Sequence, residues 1–97
     1  MSPALEAFRQ WVSDNHSELM TVSKMKAVDG RTSGIDVGES FVGLVDIQVF
    51  EESMILMMNY PFMHTSAIRD AQRKNKDTWL IKTLNSIYKV KLRKSDA

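Results

Sequence analysis

A small α+β domain is what this sequence predicts: an N-terminal helix, an antiparallel sheet of about three strands, and one or two C-terminal helices. Three observations carry that expectation. Apolar residues recur at helical spacing up to Leu19, alternate between Phe41 and Phe50, and return to helical spacing beyond Pro61. The 97 residues suit a single domain, and the 43% hydrophobic content can fill one core.

The first element is read from about Pro3 to His16. Ser2 can cap it and Pro3 occupies the first helical position, where a missing N–H costs nothing. Leu5, Phe8, Val12 and Leu19 form its apolar stripe, widened by Trp11, while Glu6, Arg9, Gln10, Asp14 and Asn15 take the other face. Met20 to Val28 fits neither period cleanly and is read as a short strand. Asp29-Gly30-Arg31-Thr32-Ser33-Gly34 is turn chemistry, followed by an irregular edge in which Gly38 is a candidate bulge.

The clearest strand is Phe41 to Phe50, where Phe41, Val45, Ile47 and Val49 alternate with Asp46 and Gln48. Glu51-Glu52-Ser53 reads as a turn, and Met54 to Tyr60 as a returning strand that Pro61 ends. Apolar residues on both of its faces suggest a central strand covered on its second side.

Beyond Pro61 the expectation is helical. Thr65 or Ser66 can cap a short helix with Ile68 and Ala71 inward and Arg69, Asp70, Arg73 and Lys74 outward; Lys74-Asn75-Lys76 would break it. Asp77 or Thr78 can cap a second helix carrying Leu80, Ile81, Leu84, Ile87, Tyr88 and Leu92 on one face. A competing pattern runs through the same segment. Tyr88, Val90 and Leu92 alternate with Lys89, Lys91 and Arg93, which would make an edge strand blunted by lysines. Six positions fit the helix and three the alternation, so the helix is preferred.

Composition narrows the function. With no cysteine there is neither a disulfide nor a thiolate site, which fits a reducing compartment. No basic and apolar leader opens the sequence, and no apolar run approaches the roughly 20 residues of a membrane helix, so a cytoplasmic protein with no membrane partner is expected. The net charge of +1 hides a split: residues 1–60 hold four basic against nine acidic residues, a net of −5, and residues 61–97 hold nine against three, a net of +6. Such a split marks either two surfaces with different partners or two halves that attract each other within the fold.

No arrangement of residues recommends catalysis. His16 and His64 are far apart and belong to no ligand-spaced cluster, so neither a metal nor another cofactor is expected. His16 suits a helix C-terminus, and His64, in the Pro61–His64 loop, has no nucleophile motif to serve as base. Glu51 and Glu52 are adjacent and would point apart, which suits a solvated turn better than paired acid chemistry. The glycine-containing loop lacks any phosphate-binding signature. The expectation is therefore a binding protein and not an enzyme.

Two charged regions could bind. The acidic hairpin brings Asp36, Glu39, Asp46, Glu51 and Glu52 around Phe50 and Val42, a surface suited to a basic protein. The basic residues Arg69, Arg73, Lys74, Lys76, Lys82, Lys89, Lys91, Arg93 and Lys94 are the footprint of a phosphate-binding stripe. Nucleic acid is the weaker alternative on sequence, because the isoelectric point near 8.0 is modest and no aromatic residues interleave the lysines. Four of the seven methionines, Met54, Met57, Met58 and Met63, fall on or beside the returning strand and read as core filling in preference to a recognition patch. An adaptor subunit of a larger assembly would use Ile55 and Met57 instead.

The layout of a helix with Phe8 and Trp11, an acidic hairpin from Gly43 to Tyr60, and basic helices that close the chain resembles small cytoplasmic immunity proteins of bacterial polymorphic toxin systems. Within them it is similar to partners of Rhs toxins that ADP-ribosylate elongation factor Tu. The resemblance implies stoichiometric binding to a cognate toxin and occlusion of its active site. Asp36, Glu39, Asp46, Glu51 and Glu52 would then steer the encounter while Phe50 anchors it.

Overall fold

The strands outnumber the expectation twofold. A computed structural model describes residues 3–27, 37–48, 53–57 and 63–93. It has one helix, α1 (Pro3–Asp14), followed by six strands: β1 (Met20–Ala27), β2 (Ser40–Gln48), β3 (Ser53–Met57), β4 (Met63–Asn75), β5 (Thr78–Thr83) and β6 (Ser86–Leu92). Each strand pairs antiparallel with the next, and β6 returns to β1, so the sheet closes into an up-and-down barrel.

The helix forms as its sequence dictates. Leu5, Phe8, Trp11 and Val12 are its buried stripe, one turn apart. It ends sooner than expected, and Leu19, expected on the same stripe, is 46% exposed. The chain has left the helix by then and is turning into β1. Asn15 closes the end, its side-chain amide donating to the Trp11 carbonyl at 2.7 Å.

The expected C-terminal helices are absent. Residues 63–93 form three strands, and the reason lies in one irregularity. Ile68 pairs with Thr83, but the next pair is Asp70 with Lys82, so one extra residue sits in β4. Both Arg69 and Asp70 are exposed while Ile68 and Ala71 are buried. A bulge thus stretches the strand's two-residue period to three at one point and imitates helical spacing. In β5 and β6 the period of two is plain. Trp79, Ile81 and Thr83 are buried on β5, and Ser86, Tyr88 and Val90 on β6. The alternation of Tyr88, Val90 and Leu92 with lysines was the correct pattern. Leu84, expected on a helix face, lies in the β5–β6 turn and is 45% exposed.

The turns explain why these strands pair. Asn75 and Asp77, expected to break and cap helices, build the β4–β5 turn, in which the Asp77 N–H donates to Asn75 Oδ1 at 2.9 Å. In the next turn the Ser86 N–H donates to Thr83 Oγ1, and Thr83 Oγ1 donates to the Ser86 carbonyl, both at 3.1 Å. Gly38 behaves as the sequence suggests. Its φ is +93°, its N–H donates to the Lys24 carbonyl, and the Lys24 N–H donates to the neighbouring Glu39 carbonyl. Two residues therefore oppose one, which is a bulge opened by glycine.

The interior is filled by Met20, Val22, Val45, Ile47, Ile68, Ala71, Trp79, Ile81, Tyr88 and Val90, as a small barrel requires. Helix α1 packs on β2 and β4 at one end of it. There Phe8, Trp11 and Trp79 meet, with ring centroids 5.2–6.2 Å apart. The Trp11 indole N–H donates to the Lys76 carbonyl at 3.1 Å and ties the helix to the β4–β5 turn.

Candidate functional site

Closure of the barrel decides which side chains can act. Inward positions are packed, so the outer walls and the helix's polar face remain. On β2, Gly43, Val45 and Ile47 point inward, while Ser40, Val42, Leu44 and Asp46 point outward. Val42 is half-buried and Leu44 is 39% exposed, so this wall carries an apolar strip that ends at the exposed Asp46.

Only part of the expected acidic site can be placed. Asp36, Phe50, Glu51 and Glu52 lie outside the described residues, as does the expected Glu51-Glu52 turn. Glu39 precedes β2 and Asp46 lies near its far end, about 23 Å apart at the rise of a strand. Those two carboxylates therefore belong to opposite ends of the wall and not to one cluster. Asp46 instead borders a groove of about 340 Å³ between β2 and α1, lined also by Glu6, Arg9, Gln10, Ser13 and His16. Its Oδ1 accepts from the Ile47 N–H at 2.9 Å, and across the groove wall Arg9 pairs with Glu6 at 3.8 Å along the helix.

The basic residues are gathered by a different route than expected. As strand residues, Lys89 and Lys91 share the outer face of β6, and Arg93 follows them just beyond the strand end. Leu80 lies directly across from Lys89, and Thr78 across from Lys91. The end of β4 adds Lys74, and the β4–β5 turn adds Lys76. The result is a groove of about 720 Å³ lined by Met25, Lys74, Lys76, Asp77, Leu80, Lys89 and Lys91 together with Asn75 and Thr78. Four ammonium groups face one carboxylate over an apolar floor.

Sequence reasoning missed that floor, because Met25 and Leu80 become neighbours only when β1, β6 and β5 lie side by side. It also passed over Trp79, whose signal was available: an aromatic residue two positions before Ile81, in phase with it.

The histidines hold no chemistry together. His16 Nδ1 donates to the Ser13 carbonyl at 3.0 Å, a contact that satisfies the end of the helix. His64, expected in a loop, lies within β4 opposite Ile55. Among the described residues, no three His, Asp or Glu side chains gather as metal ligands. No helix among them is long and apolar enough to cross a membrane.

Compared with known proteins, the chain matches no family model, no curated protein and no solved structure. The resemblance to immunity proteins thus rests on the chain's own texture. One part of that texture is corrected here, since the basic C-terminal region consists of strands.

Proposed function

We propose that this chain is a non-catalytic inhibitor that docks on a basic surface of a partner protein, a toxin in the form that the resemblance suggests. The observation that supports it is the outer wall of β2, where Val42 and Leu44 offer apolar contact beside the exposed Asp46. A barrel whose interior is packed acts through its walls. Apolar residues at the centre of an interface carry most of its energy, and acids at its border steer the encounter and exclude wrong partners.

Co-expression with an ADP-ribosyltransferase toxin domain that acts on elongation factor Tu is the test. Cells should grow when the chain is present, and Leu44→Asp should abolish the protection while leaving the purified variant folded. Asp46→Lys should weaken binding of the purified pair by slowing association. Failure of the parent chain to protect against such a domain, or to form a stoichiometric complex with it, removes the toxin reading. Full protection by both variants removes β2 as the docking wall.

A further inference from the structure

We propose that the basic groove on the opposite wall binds the sugar–phosphate backbone of single-stranded nucleic acid without reading its sequence. This goes beyond the docking of a protein on β2 and does not depend on it. In the barrel order, β5 stands across from β2, so the two surfaces face away from each other.

The first argument comes from closure. Lysines on a strand commonly blunt an open sheet edge. Here β6 is paired along its length with β5 on one side and β1 on the other, so it has no edge to protect. Lys89 and Lys91 therefore do not serve the fold in that way. The second argument is arrangement. Lys89 and Lys91 repeat about 6.7 Å apart along one face, Lys74 at the end of β4 and Lys76 in the β4–β5 turn line the same groove, and among its described lining residues Asp77 is the one acid. A row of amines tracks a polyanion better than it holds one compact anion.

The third argument concerns which polyanion. Met25, 51% exposed, and the half-buried Leu80 give the groove an apolar floor on which bases or sugars can rest. Among the described residues, this wall is built of strands and carries no helix to enter the major groove of a duplex. An extended single strand, with its phosphates on the lysines and its bases toward the floor, uses both features. With no aromatic side chain among the described residues that line the groove, base stacking adds little, so affinity is modest and salt-dependent.

The test is fluorescence anisotropy with labelled oligothymidylate of about 20 nucleotides, longer than the roughly 4–16 that a small barrel covers. Four phosphate contacts give a slope of log K against log salt of about −2.8, or roughly 50-fold weaker binding at 200 mM than at 50 mM. Replacing two lysines, Lys89→Glu with Lys91→Glu, should halve the slope and weaken binding at least tenfold at 50 mM, while Lys89→Arg with Lys91→Arg should bind like the parent. Lys74→Glu with Lys76→Glu, at the end of β4 and in the turn after it, gives an independent second pair, and circular dichroism checks that each variant is folded. Absence of binding at 50 mM, or folded Glu variants that bind like the parent, overturns the proposal. A duplex that binds more tightly overturns the single-strand assignment, and polyglutamate that competes equally well overturns the assignment to nucleic acid.

Discussion

Two tryptophans meet at the helix end of the barrel with opposite fortunes. Trp11 donates its indole N–H to the Lys76 carbonyl. The Trp79 indole, only 2% exposed, finds no acceptor for its N–H among the described residues, although the Arg73 guanidinium lies over its ring at 5.6 Å. Changing either to Phe removes the same atoms, so the transfer and cavity costs are similar and largely cancel in a comparison. What differs is the N–H. At Trp11 the substitution loses a hydrogen bond worth about 1 kcal/mol; the Lys76 carbonyl keeps the Arg73 Nη2 donor at 3.0 Å. At Trp79 it removes a buried unpaired donor that costs about 1–3 kcal/mol. Trp11→Phe should therefore be the more destabilising by about 2–4 kcal/mol, although Trp79 is the more deeply buried. For a domain of this size, that separates the melting temperatures by about 8–32 °C. Urea unfolding followed by far-ultraviolet circular dichroism measures the difference without relying on tryptophan fluorescence. Equal losses, or a larger loss for Trp79→Phe, would refute the reasoning from the unpaired N–H.

Three further perturbations test the frame around the walls. Phe8→Ala empties a fully buried site between both tryptophans and should cost about 3–5 kcal/mol in the same urea experiment. Gly38→Ala should cost about 1–2 kcal/mol from backbone strain alone, since an added Cβ meets nothing within 4 Å; Gly38→Asn should recover part of it, because Asn tolerates positive φ. Thr83→Val removes the hydroxyl that serves the β5–β6 turn twice and should cost about 1–3 kcal/mol, with Thr83→Ser close to the parent in thermal melts.

How much of this was legible depends on how local the deciding interaction is. Helix α1 was legible because Leu5, Phe8, Trp11 and Val12 keep one period from end to end. β2 was legible because Gly43, Val45 and Ile47 keep another. β4 was not, because its bulge places Ile68 and Ala71 three residues apart on the same side, and no property of the isolated segment distinguishes that from a helix turn. For β5 and β6 the alternation was present but short. Thr83 and Ser86, buried and polar, did not register as core positions, so the helical template collected more matches from outward residues such as Leu80 and Ile87. Of the acidic site, Asp46 is where alternation placed it, on the outer face of β2. Glu39, the other described member of that expected surface, precedes the same strand about 23 Å away.

The charge split takes its meaning from the topology. In an up-and-down barrel each strand lies beside its neighbours in sequence, so an asymmetry along the chain becomes an asymmetry around the wall. A fold with crossovers would have interleaved the acidic first part of the chain with the basic last third. Here Glu6, Asp14 and Asp46 stay with α1 and β2, while Lys74, Lys76, Lys82, Lys89, Lys91 and Arg93 stay with β4 to β6 and their ends. Of these acids only Asp46 stands across the barrel from β5, since α1 packs on β4 as well as on β2. Steering would then turn a polyanion toward β5 and β6 before contact, which is the orientation the proposed groove needs.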